Sequence, residues 1–138
     1  IAFTTTNGTQ AIARSTAARE VVIGSFLNLR AVVAHLRSSA DDVLIVCAGW
    51  KGKFNLEDTL FAGALINALQ DAYEPACDSA LAALQLYTTS KADLKSALAQ
   101  ASHTKRLAKL NVTRDIDFCL TPDVYDVVPV LRDGALVI

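Results

Sequence analysis

The sequence lacks several features that mark common classes of protein. Its 138 residues contain no methionine and three cysteines without a Cys-x-x-Cys pair. No apolar run approaches the ~20 residues of a membrane-spanning helix, and no signal peptide is visible. Lys and Arg total 13 against 14 Asp and Glu, a balance that argues against a nucleic-acid-binding surface. We therefore expect a cytoplasmic protein, off the membrane, with reduced and buried cysteines.

Familiar motifs for phosphate, dinucleotide and zinc binding are also absent. Gly49 is not followed by the spacing of a Walker loop, and Lys53 stands where a cysteine-phosphatase loop headed by Cys47 requires Arg. His35 and His103 have no zinc-ligand spacing to each other or to the cysteines. The sequence has no Gly-x-Gly-x-x-Gly fingerprint, so a sugar- or nucleotide-binding doubly wound domain is the least favoured interpretation.

The composition predicts one folded domain spanning residues 1–138. Hydrophobic residues make up 52% of the chain and charged residues 20%, enough apolar material for a core. The chain begins with Ile1 inside a predicted strand and has no initiator methionine. We therefore expect a fragment whose missing part lies on the N-terminal side.

Residues 42–63 are the most informative stretch. The apolar run 43–46 predicts a strand buried on both faces, followed by a glycine-containing turn and a helix that Asn55 can cap. Ligands bind at the carboxyl ends of such strands in α/β sheets, although many strand–loop–helix units bind nothing. The candidate residues of this stretch are Cys47, Gly49, Trp50, Lys51, Lys53, Glu57 and Asp58.

A second strand–turn–helix unit opens the chain. Residues 1–5 predict a strand and 10–18 a helix, with a polar cluster between them. The hydroxyls, the amide and the N–H groups at the helix start suit phosphate or sulfonate oxygens, whereas strand propensity and helix capping explain the same residues without a ligand. The cluster consists of Thr5, Thr6, Asn7, Gly8 and Thr9.

The remaining pattern predicts a three-layer α/β/α fold with a mostly parallel sheet and a C-terminal hairpin. Strands are predicted over 21–25 and 115–120, and helices over 26–38, 77–87, 91–100 and 102–107. Ser90 and Asp93 form a candidate capping box. The Asp133-Gly134 pair predicts a hairpin between 127–131 and 135–138.

Several motifs occur together in this order: Thr-Thr-Thr-Asn-Gly-Thr at 4–9, Ile-Gly-Ser-Phe-Leu-Asn at 23–28, the long motif from Cys47 to Gly63, Ser-His at 102–103, Asp-Phe-Cys-Leu at 117–120, and Asp-Val-Val-Pro at 126–129. Together they resemble the 2-phosphosulfolactate phosphatase family, the ComB-like proteins. The resemblance runs across nearly the whole chain and corresponds to the C-terminal portion of larger family members. It implies Mg²⁺-dependent hydrolysis of 2-phospho-3-sulfolactate to 3-sulfolactate in coenzyme M biosynthesis.

The resemblance also implies roles for the candidate residues. Lys51 and Lys53 would bind anionic groups, Glu57 and Asp58 would hold Mg²⁺, and His103 would protonate the leaving group. Cys47 is a candidate nucleophile, although its position after an apolar strand favours packing. Thr5, Thr6, Asn7, Gly8, Thr9, Gly49 and Trp50 would complete the substrate site. The partners would be a small phosphate ester, the missing N-terminal half and, through exposed strand edges, a second copy of the chain.

Two alternatives remain open from the sequence. One is a non-catalytic anion-binding or assembly domain. The other is a phosphatase that acts on a different small ester. Neither water attack nor a covalent phosphoenzyme is favoured.

Overall fold

The computed structural model describes residues 5–102, 104–105 and 113–138. The described helices and strands are α1 (Thr6–Ser15), α2 (Leu29–Arg37), α3 (Leu56–Leu69), α4 (Asp78–Ser90), α5 (Leu94–Leu98), α6 (Thr113–Cys119), β1 (Val130–Arg132) and β2 (Ala135–Val137). A 3₁₀ turn over Phe26–Asn28 leads directly into α2. Among the described residues, no helix is both long and apolar enough to cross a bilayer.

Helix α3 is the centre of the core, as its apolar sequence predicts. It contributes to two clusters of buried side chains, because apolar residues occur on most of its faces. Leu60 and Ala64 pack with Phe26 and Leu98 in the first cluster. In the second, Leu65 and Leu69 pack with Val32 and Val33 of α2. Apolar side chains of α2 and α3 therefore pack against each other in the core.

Helices α3 and α4 approach each other closely at Gly63. A β-carbon added there would lie 2.7 Å from both the carbonyl carbon of Ala83 and the β-carbon of Tyr87. Ordinary contacts between carbon atoms are about 3.5–4.0 Å. The absence of a side chain at this position therefore allows the two helices to pack at their observed separation.

The C-terminal hairpin is confirmed. Strands β1 and β2 are antiparallel, with Arg132 opposite Ala135. Asp133 and Gly134 form the connecting turn with φ values of 48° and 79°, the positive pair that a type I′ turn requires. The Leu131 N–H donates to the Val21 carbonyl at 2.9 Å, so the hairpin is joined to the segment before α2.

The predicted parallel sheet is not found in the described part of the chain, where the sheet is the two-stranded hairpin. Residues 43–46 are not assigned to a strand, and the segment 21–25 forms a bridge only between Val22 and Val130. Leu44 is 86% exposed and Val46 is 48% exposed, so the run is not buried on both faces. A strand buried on both faces needs other elements packed against each face, and the described neighbours do not supply them. The strand predicted over residues 1–5 lies outside the described residues except for Thr5.

Two predictions on secondary structure are wrong. Helix α1 begins at Thr6 rather than Gln10, because Gly8 lies within the helix instead of forming a turn. Residues 115–120 lie mostly in α6 rather than in a strand. Ile116 and Leu120 are one helical turn apart and both are half-buried, whereas Phe118 between them is 47% exposed.

Capping and cysteine burial also differ from expectation. Helix α4 continues through Ser90, and the N-cap of α5 is Asp93, whose carboxylate accepts a hydrogen bond from the Ser96 N–H. Asn55 is at the N-cap position of α3, but its side chain makes no capping hydrogen bond within the described structure. Cys47, Cys77 and Cys119 are free thiols, as expected, but they are exposed rather than buried.

Candidate functional site

A tight turn from Trp50 to Lys53, here called the lysine turn, is the centre of the candidate site. Trp50 and Lys53 exchange two backbone hydrogen bonds, each of 3.0 Å. The two residues between them, Lys51 and Gly52, have φ values of 52° and 72°. A glycine accepts this left-handed conformation readily, but a lysine adopts it only when its surroundings hold it there.

Gly49 makes the approach to the lysine turn possible. Its φ is 67°, and an added β-carbon would lie 2.6 Å from the Lys53 carbonyl oxygen. A side chain at this position would therefore be strained and would also collide with the backbone of the turn. The predicted glycine-containing turn between the apolar run 43–46 and Asn55 is therefore present.

The first turns of two helices hold the lysine turn through side-chain acceptors. The Gly49 N–H donates to Asp58 Oδ2 of α3 at 2.6 Å. The Lys51 N–H donates to Asn7 Oδ1 of α1 at 3.1 Å. The structure thus brings together the polar cluster at residues 5–9 and the motif at 47–63, which are separate in the sequence.

A groove of about 670 Å³ lies beside this assembly. It is bounded by the start of α1, the start of α3 and the extended residues 43–48. Predicted site residues that line it are Thr5, Gly8, Thr9, Cys47, Glu57 and Asp58. The groove could receive a small molecule whose polar groups meet the helix starts and whose carbon skeleton meets the apolar wall.

Positive charge is concentrated on the lysine turn. The side chains of Lys51 and Lys53 are both exposed. Lys51 Nζ lies 5.8 Å from the centroid of the Trp50 ring, a distance compatible with a cation–π contact. At the N-cap position of α1, the Thr5 side chain makes no capping hydrogen bond within the described residues. The helix start and the two ammonium groups together favour an anion.

The environment of Cys47 favours its thiol form. Although the residue as a whole is exposed, partial burial of its thiol raises the pKa, and the nearby carboxylate of Asp58 raises it further. A nucleophilic cysteine needs the opposite shift, toward the thiolate at neutral pH. Cys119, which also lines the groove, has a pKa raised by burial and by Asp115. The raised pKa of Cys47 therefore argues against a nucleophilic role for it.

Two neighbouring carboxylates are the candidate metal ligands. Glu57 and Asp58 are half-buried in the first turn of α3 and line the groove. Asp58 also receives the Gly49 hydrogen bond, so it has a structural task that the sequence did not indicate. Within the described residues, no cluster of three or more His, Cys, Asp or Glu side chains is suited to a metal. Mg²⁺ often uses one or two carboxylates together with substrate phosphate and water, so this pair fits part of such a set.

Some predicted site residues have different positions or lie outside the description. His103 is outside the described residues. Thr6 is exposed in the first turn of α1, and the Thr9 hydroxyl donates to the Thr5 carbonyl oxygen. Asn28 is buried at the N-cap position of α2, and its Oδ1 accepts the Ser25 N–H as part of a capping box. Its amide group bonds to Ser25 and to the carbonyl oxygens of Ile23 and Val127.

Comparisons with known proteins give the family. The model of the family described as 2-phosphosulpholactate phosphatase matches residues 1–134 of this chain. Relatives from Caldanaerobacter subterraneus and Thermotoga maritima, each named "Probable 2-phosphosulfolactate phosphatase", are 41% identical to this chain. The matches cover 97% and 100% of this chain but 56% and 59% of the two relatives. A Clostridium acetobutylicum relative of the same name is 36% identical over 97% of the chain and 57% of its own length. The chain spans little more than half the length of these relatives, and it belongs to the 2-phosphosulfolactate phosphatase family.

Proposed function

We propose that the protein is a phosphatase that hydrolyses 2-phospho-3-sulfolactate to 3-sulfolactate and phosphate, a reaction of coenzyme M biosynthesis. The observation that carries this proposal is the convergence of α1 and α3 on the lysine turn through Asn7 and Asp58. That arrangement holds N–H donors and two lysines next to Asp58, which lines the groove. A substrate with phosphate, carboxylate and sulfonate groups needs several such contacts.

The residues of this chain would act mainly by binding and orientation. Lys51 and Lys53 attract the anionic groups, and the first turn of α1 supplies N–H donors to them. Water adds its oxygen to phosphorus, the bond from phosphorus to the ester oxygen breaks, and that oxygen takes a proton as sulfolactate leaves. His103 is the proposed proton donor. The raised pKa of Cys47 favours water over this thiol as the attacking group.

We propose that Glu57 and Asp58 contribute oxygen ligands to Mg²⁺. Hard carboxylate oxygens suit this ion, and both side chains line the groove. When bound, Mg²⁺ would neutralise negative charge on the phosphoryl oxygens. Asp58 would combine this role with its hydrogen bond to Gly49, so replacing it would disturb both the ion and the turn.

We propose that further chain, equivalent to the unmatched portion of the relatives, completes the site and the sheet. Leu44, Val46 and Phe54 are 86%, 48% and 74% exposed next to the candidate site. We propose that further chain covers these apolar side chains, giving the mostly parallel three-layer sheet that the sequence predicts. The alternative is that a second copy of the chain covers them, as in a homo-oligomer.

The first experiment compares phosphate release by the 138-residue chain and by a chimera. In the chimera, this chain replaces the matching segment of the Thermotoga maritima relative. Release from 2-phosphosulfolactate by the chimera, lost when EDTA removes divalent ions and restored by Mg²⁺, is the expected result. No release by the folded chimera, while the intact relative is active, would contradict the assignment of substrate to this chain.

Matched variants of the chimera test the site. We expect Lys51→Ala and Glu57→Gln to lower kcat/KM at least tenfold without preventing folding. Lys91→Ala and Glu74→Gln make the same changes at exposed positions outside the site and should retain activity. Loss of folding in both site variants would instead show that Lys51 and Glu57 have structural roles.

A non-catalytic anion-binding domain is the second candidate, because the start of α1 and the two exposed lysines can bind an anion without any catalytic group. Calorimetric titration with 3-sulfolactate separates the two. Binding without turnover by the folded chimera would support the domain, and turnover would exclude it.

A further inference from the structure

The lysine turn has two kinds of support, and they are not equivalent. Its internal hydrogen bonds between Trp50 and Lys53 close the turn itself. They do not fix where the turn lies relative to the helices. That position depends on the contacts that leave the turn, from Gly49 to Asp58 and from Lys51 to Asn7.

The contact with Asn7 involves Lys51, one of the two lysines that attract the anionic substrate in the proposed function. It ends on the backbone N–H of Lys51, the non-glycine residue with a φ of 52°. It also begins in the first turn of α1, the helix whose N–H groups face the same substrate in the proposed function. One hydrogen bond between residues 44 positions apart therefore relates the helix start to the lysine.

The chemistry of the Asn7 amide agrees with a supporting role. Its carbonyl oxygen accepts from Lys51, which fixes the orientation of the amide group. A carbonyl oxygen repels an anion, so this half of the side chain contributes to the site only by holding a donor. The sequence offers Asn7 as a substrate-binding or helix-capping residue and does not indicate this contact.

We propose that Asn7 is a positioning residue that holds Lys51 in register with the first turn of α1, so that both act on the same anionic group. This inference rests on the proposed phosphatase function. It predicts that removing the acceptor displaces Lys51 while the internal hydrogen bonds of the turn remain. The residue acts through Lys51, and its loss lowers activity without removing a substrate ligand.

The test uses three variants: Asn7→Ala removes the acceptor, Asn7→Asp keeps one, and Gln10→Ala changes an exposed residue of the same helix as a control. Amide hydrogen exchange of Lys51 is measured by NMR in the 138-residue chain. We expect at least tenfold faster exchange in Asn7→Ala, and protection near the wild-type level in Asn7→Asp and Gln10→Ala. Unchanged exchange in a folded Asn7→Ala variant would overturn the contact.

Kinetics of the same variants in the chimera test the consequence. We expect Asn7→Ala to lower kcat/KM about tenfold and Asn7→Asp to restore kcat, with KM raised because its charge repels the substrate. Added salt should reduce that rise in KM. Activity of Asn7→Ala within twofold of an active parent would overturn the positioning role. An inactive parent would contradict the phosphatase function instead, while the exchange measurement still tests the contact.

Discussion

Replacing Gly63 with alanine tests whether the close approach of α3 and α4 determines the stability of the core. The added β-carbon would lie 2.7 Å from the carbonyl carbon of Ala83 and from the β-carbon of Tyr87. Each distance is roughly 1 Å shorter than an ordinary contact between carbons. Because a helix backbone cannot rotate away as a flexible side chain can, the two helices must separate locally.

The net effect is the difference between two opposing contributions. Overpacking of this kind costs about 1–3 kcal/mol, and the backbone contact places Gly63→Ala near the upper end of that range. Alanine in place of glycine inside a helix stabilises it by about 1 kcal/mol. We therefore expect the free energy of unfolding to fall by about 2 kcal/mol. At about 3–4 °C per kcal/mol for a domain of this size, the Tm should fall by roughly 7 °C.

Gly8→Ala is the matched control for this measurement. Gly8 also lies in a helix, and its added β-carbon would be 2.7 Å from Thr5 Oγ1. That atom is the end of an exposed side chain that can rotate, so we expect unchanged or slightly higher stability. Thermal and urea unfolding followed by circular dichroism compare both variants with the parent. A Gly63→Ala protein as stable as the parent would refute the argument that backbone contact limits this helix pair.

Three further predictions concern hydrogen bonding and ionisation. Asn28→Ala leaves the carbonyl oxygens of Ile23 and Val127 without their amide donor. The free energy of unfolding measured in urea should therefore fall by about 2–4 kcal/mol. An unchanged unfolding midpoint would contradict this prediction. Cys77 should react with iodoacetamide before Cys47 at about pH 8. The reason is that a hydrogen bond with Ser79 lowers the pKa of Cys77, whereas partial burial raises the pKa of Cys47. Mass spectrometry gives the order of labelling, and faster labelling of Cys47 would contradict the prediction. Hydrogen bonds from Ser96 lower the pKa of Asp93, so its stabilising effect is present above the ordinary value of 3.8 and lost as pH falls through the lower folded value. Asp93→Ala should therefore be less stable than the parent at neutral pH, and this difference in Tm should vanish in acid rather than persist.

Local sequence signals predicted the parts of the fold that short-range interactions determine. The Asp133-Gly134 pair specifies its turn through backbone conformation alone, and the hairpin forms where it indicates. The apolar residues of α2 and α3 also lie where their spacing places them. Helix starts were less predictable, because a glycine such as Gly8 is compatible with either a turn or a helix interior. Residues 115–120 show the same limit, since Ile116 and Leu120 match both an alternating and a helical pattern.

The sequence predicted which residues belong to the candidate site but not the contacts that hold them together. The sequence indicated both the polar cluster at 5–9 and the motif at 47–63. The contact between Asn7 and Lys51 joins positions 44 residues apart and has no local signature. Likewise, the first-turn position of Asp58 predicted a favourable charge at a helix start but not its hydrogen bond to Gly49.

The start of α1 and the exposure of residues 43–46 together explain how the site is built. Because α1 begins at Thr6, Asn7 belongs to a rigid first turn and can hold Lys51 in a fixed position, which a residue in a loop before Gln10 could not do as well. On the opposite wall of the groove, Leu44 and Val46 keep the apolar character of a buried strand while remaining exposed. The polar side of the groove is therefore organised by contacts within this chain, whereas its apolar side is left exposed. If this division is correct, adding the unmatched portion of the Thermotoga maritima relative in the chimera should bury the apolar wall and leave the Asn7–Lys51 contact unchanged.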